Sequence, residues 1–237
     1  MNTLPFAILA FAALMHASFQ LSVSVLTLLS GHSLSAKRSH RRTLQLTTAF
    51  ILGSVFMTIL LLATMSLIIN LYVRPESLSL WWTVSTSIAI VIGLAVWLFY
   101  YRPEGTSLWV PRGFAEYLIK RTRATKQRAE AFGLGTTSVS SELLFTIAPM
   151  FMAALALVSL PASEQLIGIG LYAVISLAPL IVVWMLLSGG HSISEIQRWR
   201  ETNKRFLQVI AGGGLIILGF FVFVYEVLGT VSGGVGL

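Results

Sequence analysis

The stretch Ser138–Phe151, SVSSELLFTIAPMF, sets a carboxylate, Glu142, among hydroxyls at the head of an apolar run that also holds a proline. On a soluble helix such a glutamate would simply face water. Here the surrounding composition changes its meaning: 56% of the 237 residues are hydrophobic and 11% charged, with a mean hydropathy of +0.83. Those values exclude an ordinary soluble globular domain. Six apolar stretches, about 4–30, 46–72, 80–101, 132–160, 166–187 and 206–229, each reach the roughly 20 helical residues needed to cross a hydrocarbon core. The expected fold is an all-α integral membrane protein with six transmembrane helices.

Charge placement gives an orientation. Lys37, Arg38, Arg41 and Arg42 fall in 31–45, seven cations fall in 102–130, and Arg198, Arg200, Lys204 and Arg205 fall in 188–205, which together hold all but one of the 16 Lys and Arg. These are alternate loops, and cytoplasmic loops carry the excess of Lys and Arg. Six spans satisfy that rule with both termini outside, whereas five or seven would break it. A pI near 10.1 therefore points to helix orientation and to anionic lipid headgroups at the basic loops; nucleic acid is not an expected partner. The N-terminal MNTLPFAILAFAALMHAS lacks a positive leading region and its apolar run continues, so it reads as a retained first span.

The chain reads as one polytopic domain, 1–237: a three-helix half over 1–101, a basic loop over 102–131, and a second three-helix half over 132–237. An odd number of spans per half inserts the second half upside down relative to the first, the arrangement of a 3+3 inverted repeat. Direct similarity between the halves is weak. Within the loop, Pro111 can start a helix on which Phe114, Tyr117 and Leu118 share a face. That helix is either a solvated basic one or an interfacial one with Trp109 and Tyr117 at headgroup level. Trp81, Trp82, Tyr100 and Tyr101 suit interfacial belts.

Polar groups within hydrocarbon are expensive and should face protein, water or one another. In the first span, His16, Gln20, Ser24 and Thr27 recur at helical spacing on one stripe; in the fourth, Ser138, Glu142, Thr146 and Pro149 do the same. If the two stripes meet, they line a central site with Glu142 as its acid and His16 as a partner that titrates near neutral pH. Two readings stay open for each residue. Glu142 either serves that site or reaches the nearby interface beside Ser140 and Ser141. His16 either serves it or is a packed histidine, and Gln20, Ser138 and Thr146 either line it or bond within and between helices. Pro149 and Pro179 are expected to break the fourth and fifth helices. Gly212, Gly213, Gly214 and Gly219 suit close packing of the last span, and Glu226 suits its outer interface.

With no cysteine, disulfides, thiolate metal sites and thiol redox chemistry are excluded for this chain alone. His32, His40 and His191 are scattered through basic segments, so no metal cluster is expected, and no cofactor or haem is implied.

Three segments, AFGLGTTSVSSELLFTIAPMFMAALAL, LYAVISLAPLIVVWMLLSGG and KRFLQVIAGGGLIILGFFVFV, resemble the end of the membrane domain of the CcdA/DsbD family within the LysE-type superfamily of prokaryotic membrane proteins. The likeness lies in the glycines leading into span four, a late proline in span five, and a basic loop before a glycine-rich last span. It covers roughly 100 residues; the first half matches in topology. The resemblance implies a prokaryotic cytoplasmic (inner) membrane protein whose first and fourth helices enclose the working site. The thiol-relay members carry a reactive cysteine on each of those helices, and this chain carries none, so transmembrane electron transfer by that mechanism is ruled out.

The leading expectation is a transporter or exporter of a small solute or ion in which Glu142 either couples transport to protons or binds a cationic group, with His16, Gln20, Ser138 and Thr146 in its site. The alternative is a non-catalytic assembly subunit that binds another membrane protein. An intramembrane enzyme is the weakest option, since no nucleophile–base pair or metal set can be assembled.

Overall fold

The computed structural model describes residues 3–20, 40–99 and 127–229. Ser24, Thr27, His32, Tyr100, Tyr101 and the loop helix proposed around Trp109 and Tyr117 lie outside these residues. All regular structure among the described residues is helical. The helices are α1 (Thr3–Gln20), α2 (His40–Tyr72), a 3-10 turn (Pro75–Ser77), α3 (Leu78–Phe99), α4 (Arg128–Val158), α5 (Ala162–Ser176), α6 (Ala178–Ser188), α7 (Ile193–Thr202) and α8 (Lys204–Val222), with a π turn at Phe223–Leu228.

Five of these segments are long and apolar enough to cross a membrane, and α5 with α6 makes a sixth as a broken span bent by 53°. Large apolar side chains on the periphery, including Leu67, Leu71, Val91, Leu98, Leu144 and Leu166, remain exposed. Such a surface is stable only against hydrocarbon or another protein.

Residue pairings fix the helix directions. Leu9 and Leu157 both pack at Gly168, and His16 meets Glu142, so α1 runs antiparallel to α4 and parallel to α5. Leu46 and Ala49 pack with Ala131, and Ser54 meets Gly135 one turn further along both helices, so α2 runs parallel to α4. Trp81 meets Phe151 on the antiparallel pair α3 and α4. Gly93 lies on Gly212 and Gly219 on Thr86, which makes α8 antiparallel to α3. Successive traverses therefore alternate, and the N-termini of α2, α4 and α8, with Arg41, Arg42, Arg128 and Arg205, share one end of the bundle.

α4 is the central shaft. From Met150 to Leu157 every residue except Phe151 is at most 2% exposed, and its small alanines admit neighbours closely, the usual basis of helix packing where lipid is as apolar as the core. The nearest approach is to α2. A Cβ built on Gly135 would run into the carbonyl of Phe50, and one on Gly53 into the carbonyl of Phe132. Both obstacles are backbone, which cannot rotate aside. Gly135→Leu should therefore lower the thermal unfolding temperature in detergent, with a loss at or beyond the roughly 1–3 kcal/mol typical of overpacked cores. Unchanged unfolding would mean that the α2–α4 crossing is looser than described.

Two expectations are corrected and a third holds. Pro149 does not break its helix: α4 runs without interruption from Arg128 to Val158. A proline deletes one N–H and crowds one carbonyl, and the buried packing on both sides holds the neighbouring turns. Pro179 does coincide with a break, at Leu177, and sits in the first turn of α6, where the missing N–H is tolerated. Trp82 is 3% exposed, in the core rather than in an interfacial belt, while Trp81 beside it is partly exposed and packs on Phe151.

At the basic end, α7 opens with a reciprocal cap: Ser192 N–H donates to Glu195 Oε2 at 3.1 Å, and Glu195 N–H donates to Ser192 Oγ at 3.3 Å. The Ser192 amide, helped by its hydroxyl and by His191, holds the Glu195 carboxyl below its usual range. A depressed carboxylate stabilises the folded form above its unfolded pKa, and that contribution fades as pH falls through the folded value. Protection of the amides at the start of α7, taken relative to their intrinsic exchange rates at each pH, should accordingly fall on acidification below about pH 4.5, more than in Glu195→Gln; equal acid response in both would remove the cap's role.

Candidate functional site

Spacing carried on α1 and α4 is converted into a site by their antiparallel crossing. His16 lies near the described end of α1, and Glu142 sits four turns into α4, about 21 Å from its start at 1.5 Å per residue. Glu142 is 0% exposed, as is His16. The Glu142 carboxylate is enclosed by protein rather than open at the surface. His16 Nε2 stands 3.8 Å from Glu142 Oε2, within ion-pair range but longer than a hydrogen bond.

The other ring nitrogen has a firm partner. His16 Nδ1 and the Tyr172 hydroxyl of α5 are 3.0 Å apart, and Tyr172 is also fully buried. An imidazole held in this way has one nitrogen aimed at a phenol and the other at a carboxylate. Its tautomer decides which of them accepts and which donates. Whichever nitrogen carries the proton, the imidazole bridges the phenol of α5 and the carboxylate of α4.

One turn toward the basic end, Gln20 and Ser138 continue the two stripes, and both are 0% exposed. Neither the oxygen nor the nitrogen of the Gln20 amide has a hydrogen-bond partner among the described residues. Leaving such a group unpaired costs roughly 1–3 kcal/mol, and sites that bind polar ligands commonly carry groups of this kind. Thr146 is buried beside them, but its hydroxyl donates to the Glu142 carbonyl at 3.1 Å, so it shapes the helix rather than offering a free donor. Pro149 is one turn further along the same face. Phe19 and Phe145 stack at 5.3 Å between ring centroids and adjoin the polar cluster.

The sequence stripes thus bring His16 and Glu142 together directly, with Gln20 and Ser138 at the next level. Tyr172 was not anticipated: one tyrosine in the apolar run LYAVIS carries no periodic signal. Nor was the polar face of α2, where Thr47, Ser54 and Thr58 are buried at spacings of seven and four. Ser54 Oγ reaches the Gly135 carbonyl at 3.3 Å, and Thr58 follows one turn later, level with the Ser138–Glu142 turn. Applying the spacing rule to the second span would have found them. Among the described residues no group of three or more His, Asp or Glu could hold a metal ion.

Comparison of the chain with protein-family models, with characterised proteins and with solved structures finds no match. The functional reading therefore rests on the site itself.

Proposed function

We propose that the protein is a six-span membrane transporter or exporter of a small solute or ion, coupled to protons through Glu142 and His16. The observation that carries this reading is the fully buried His16–Glu142 pair, mid-bundle between α1 and α4 and backed by Tyr172. Hydrocarbon-depth ionisable groups mark proton relays and substrate pathways. Gln20, with Ser138 beside it, supplies hydrogen-bonding capacity for a polar cargo. Since every member of the cluster is closed to solvent, the conformation corresponds to an occluded state, and function requires α1 to separate from α4 on one side at a time.

The basic end of the bundle is assigned to the cytoplasm by the charge rule, with both termini outside. A 3+3 inverted repeat is supported by the exchange of neighbours between α1 and α4. The helix α1 contacts α4, α5–α6 and α8, while α4 contacts α1, α2 and α3 and also meets α5 at their hairpin. Swapping α1 with α4, α2 with α5–α6, and α3 with α8 maps one set onto the other.

The test is reconstitution into liposomes loaded with a pH-sensitive dye, challenged in turn with amino acids, monovalent cations and divalent cations. A solute-dependent pH change supports the proposal, and its absence across all three classes would remove proton coupling. A second reading, an assembly subunit, is favoured by the complete occlusion of the cluster. A stoichiometric membrane partner recovered in mild detergent, together with no flux, would select it.

A further inference from the structure

Two cavities flank α3, and both are walled by Val96. One, of about 340 Å³, is lined by Val96 and Trp97 of α3 and by Arg205, Gln208 and Val209 of α8. The other, of about 270 Å³, is lined by Val96 with Ile88, Ile92 and Ala95 of α3 and Leu144, Phe145 and Ile147 of α4. The first therefore sits at the basic end and contains a guanidinium and an amide. The second is apolar throughout and opens between exposed Ile88, Leu144 and Ile147, toward the bilayer.

From these observations we propose that α3, α4 and α8 form a site for one anionic phospholipid, with its phosphate at Arg205 and Gln208 and one acyl chain along the groove from Val96 to Ile88. The chemistry changes along the path as that of a phospholipid does. Arg205 offers a planar set of donors suited to phosphate oxygens, and it lies in the first turn of α8, where the helix dipole also favours an anion. Trp97 closes the headgroup end, its indole fixed by donation to the Val209 carbonyl at 3.2 Å. From Val96 to Ile88 the groove descends about 12 Å along the helix axis, from headgroup depth into the hydrocarbon.

The tail would end against Phe145, whose ring stacks on Phe19 at 5.3 Å, one turn from His16 and Glu142. Occupancy of the groove would therefore brace the aromatic pair beside the polar cluster. The site does not depend on the transport reading and can be tested without knowing a substrate.

The test is native mass spectrometry of the full chain in mild detergent, titrated separately with dioleoylphosphatidylglycerol, dioleoylphosphatidylcholine and inorganic phosphate. The expected result is a single tightly retained phosphatidylglycerol. Arg205→Gln should weaken it roughly tenfold to a hundredfold, as loss of a charge-assisted contact does, and should narrow its preference over the net-neutral phosphatidylcholine. Ala95→Trp, which fills the groove, should remove the retained lipid while thermal unfolding confirms the fold. Equal affinity for the two lipids, unchanged phosphatidylglycerol binding in both variants, or phosphate alone binding as tightly as the lipid would each overturn the proposal.

Discussion

Glu142→Gln should abolish proton-coupled flux while leaving the protein inserted and folded. Glutamine matches glutamate in size and keeps two polar atoms against His16, but it cannot take up or release a proton. Positioned acid–base groups contribute typically about 10²–10⁴-fold to the processes they serve, so a fall of at least about a hundredfold is expected in dye-loaded liposomes. The thermal unfolding profile in detergent should stay close to that of the unaltered chain, because the α1–α4 interface keeps its shape. Unimpaired flux in this variant would remove the acid from the mechanism even if transport itself were real.

His16→Leu should have the largest effect on stability. It deletes the imidazole that stands 3.8 Å from the Glu142 carboxylate and also takes the partner from the Tyr172 hydroxyl. Removing one member of a buried ionisable pair costs roughly 3–5 kcal/mol, whereas replacing both by apolar groups is often neutral or favourable. The double variant His16→Leu/Glu142→Leu should therefore recover most of the stability lost by His16→Leu alone, giving a strongly non-additive cycle. Additive losses measured by denaturant titration would show that the two side chains, although adjacent, do not act on each other.

The pairing of His16 with Glu142 was legible because helical periodicity survives any tertiary arrangement: polar residues four apart share a face wherever the helix goes. The start of α4 was less legible. Hydropathy starts the span near 132, while the Gln127–Glu130 cap starts the helix at Arg128 and so carries Glu142 further from the helix start. Tyr172 was hidden because its contribution depends on how α5 is rotated about its axis, which a continuous apolar run does not encode. Pro149 misled for the opposite reason. A local rule about missing N–H groups was overruled by burial on both sides, while the same rule succeeded at Pro179, where the neighbouring Leu177 already leaves the helical path.

The glycine contacts partition the bundle in a way the order of the chain does not. Backbone touches backbone where α2 meets α4 at Gly53 and Gly135, and again where α3 meets α8 at Gly93 and Gly212. Each of these couples joins a helix from before the basic loop to one from after it. Neither half of the polypeptide is thus a complete folding unit, and the two should fail to insert stably if expressed apart. His16 and Tyr172 ride together on α1 and α5, while Glu142 belongs to the rigid α2–α4 couple. The His16–Glu142 pair therefore spans two separately packed groups of helices, and in the proposed transport cycle a shift of one group against the other would change the distance between titratable atoms without bending any helix.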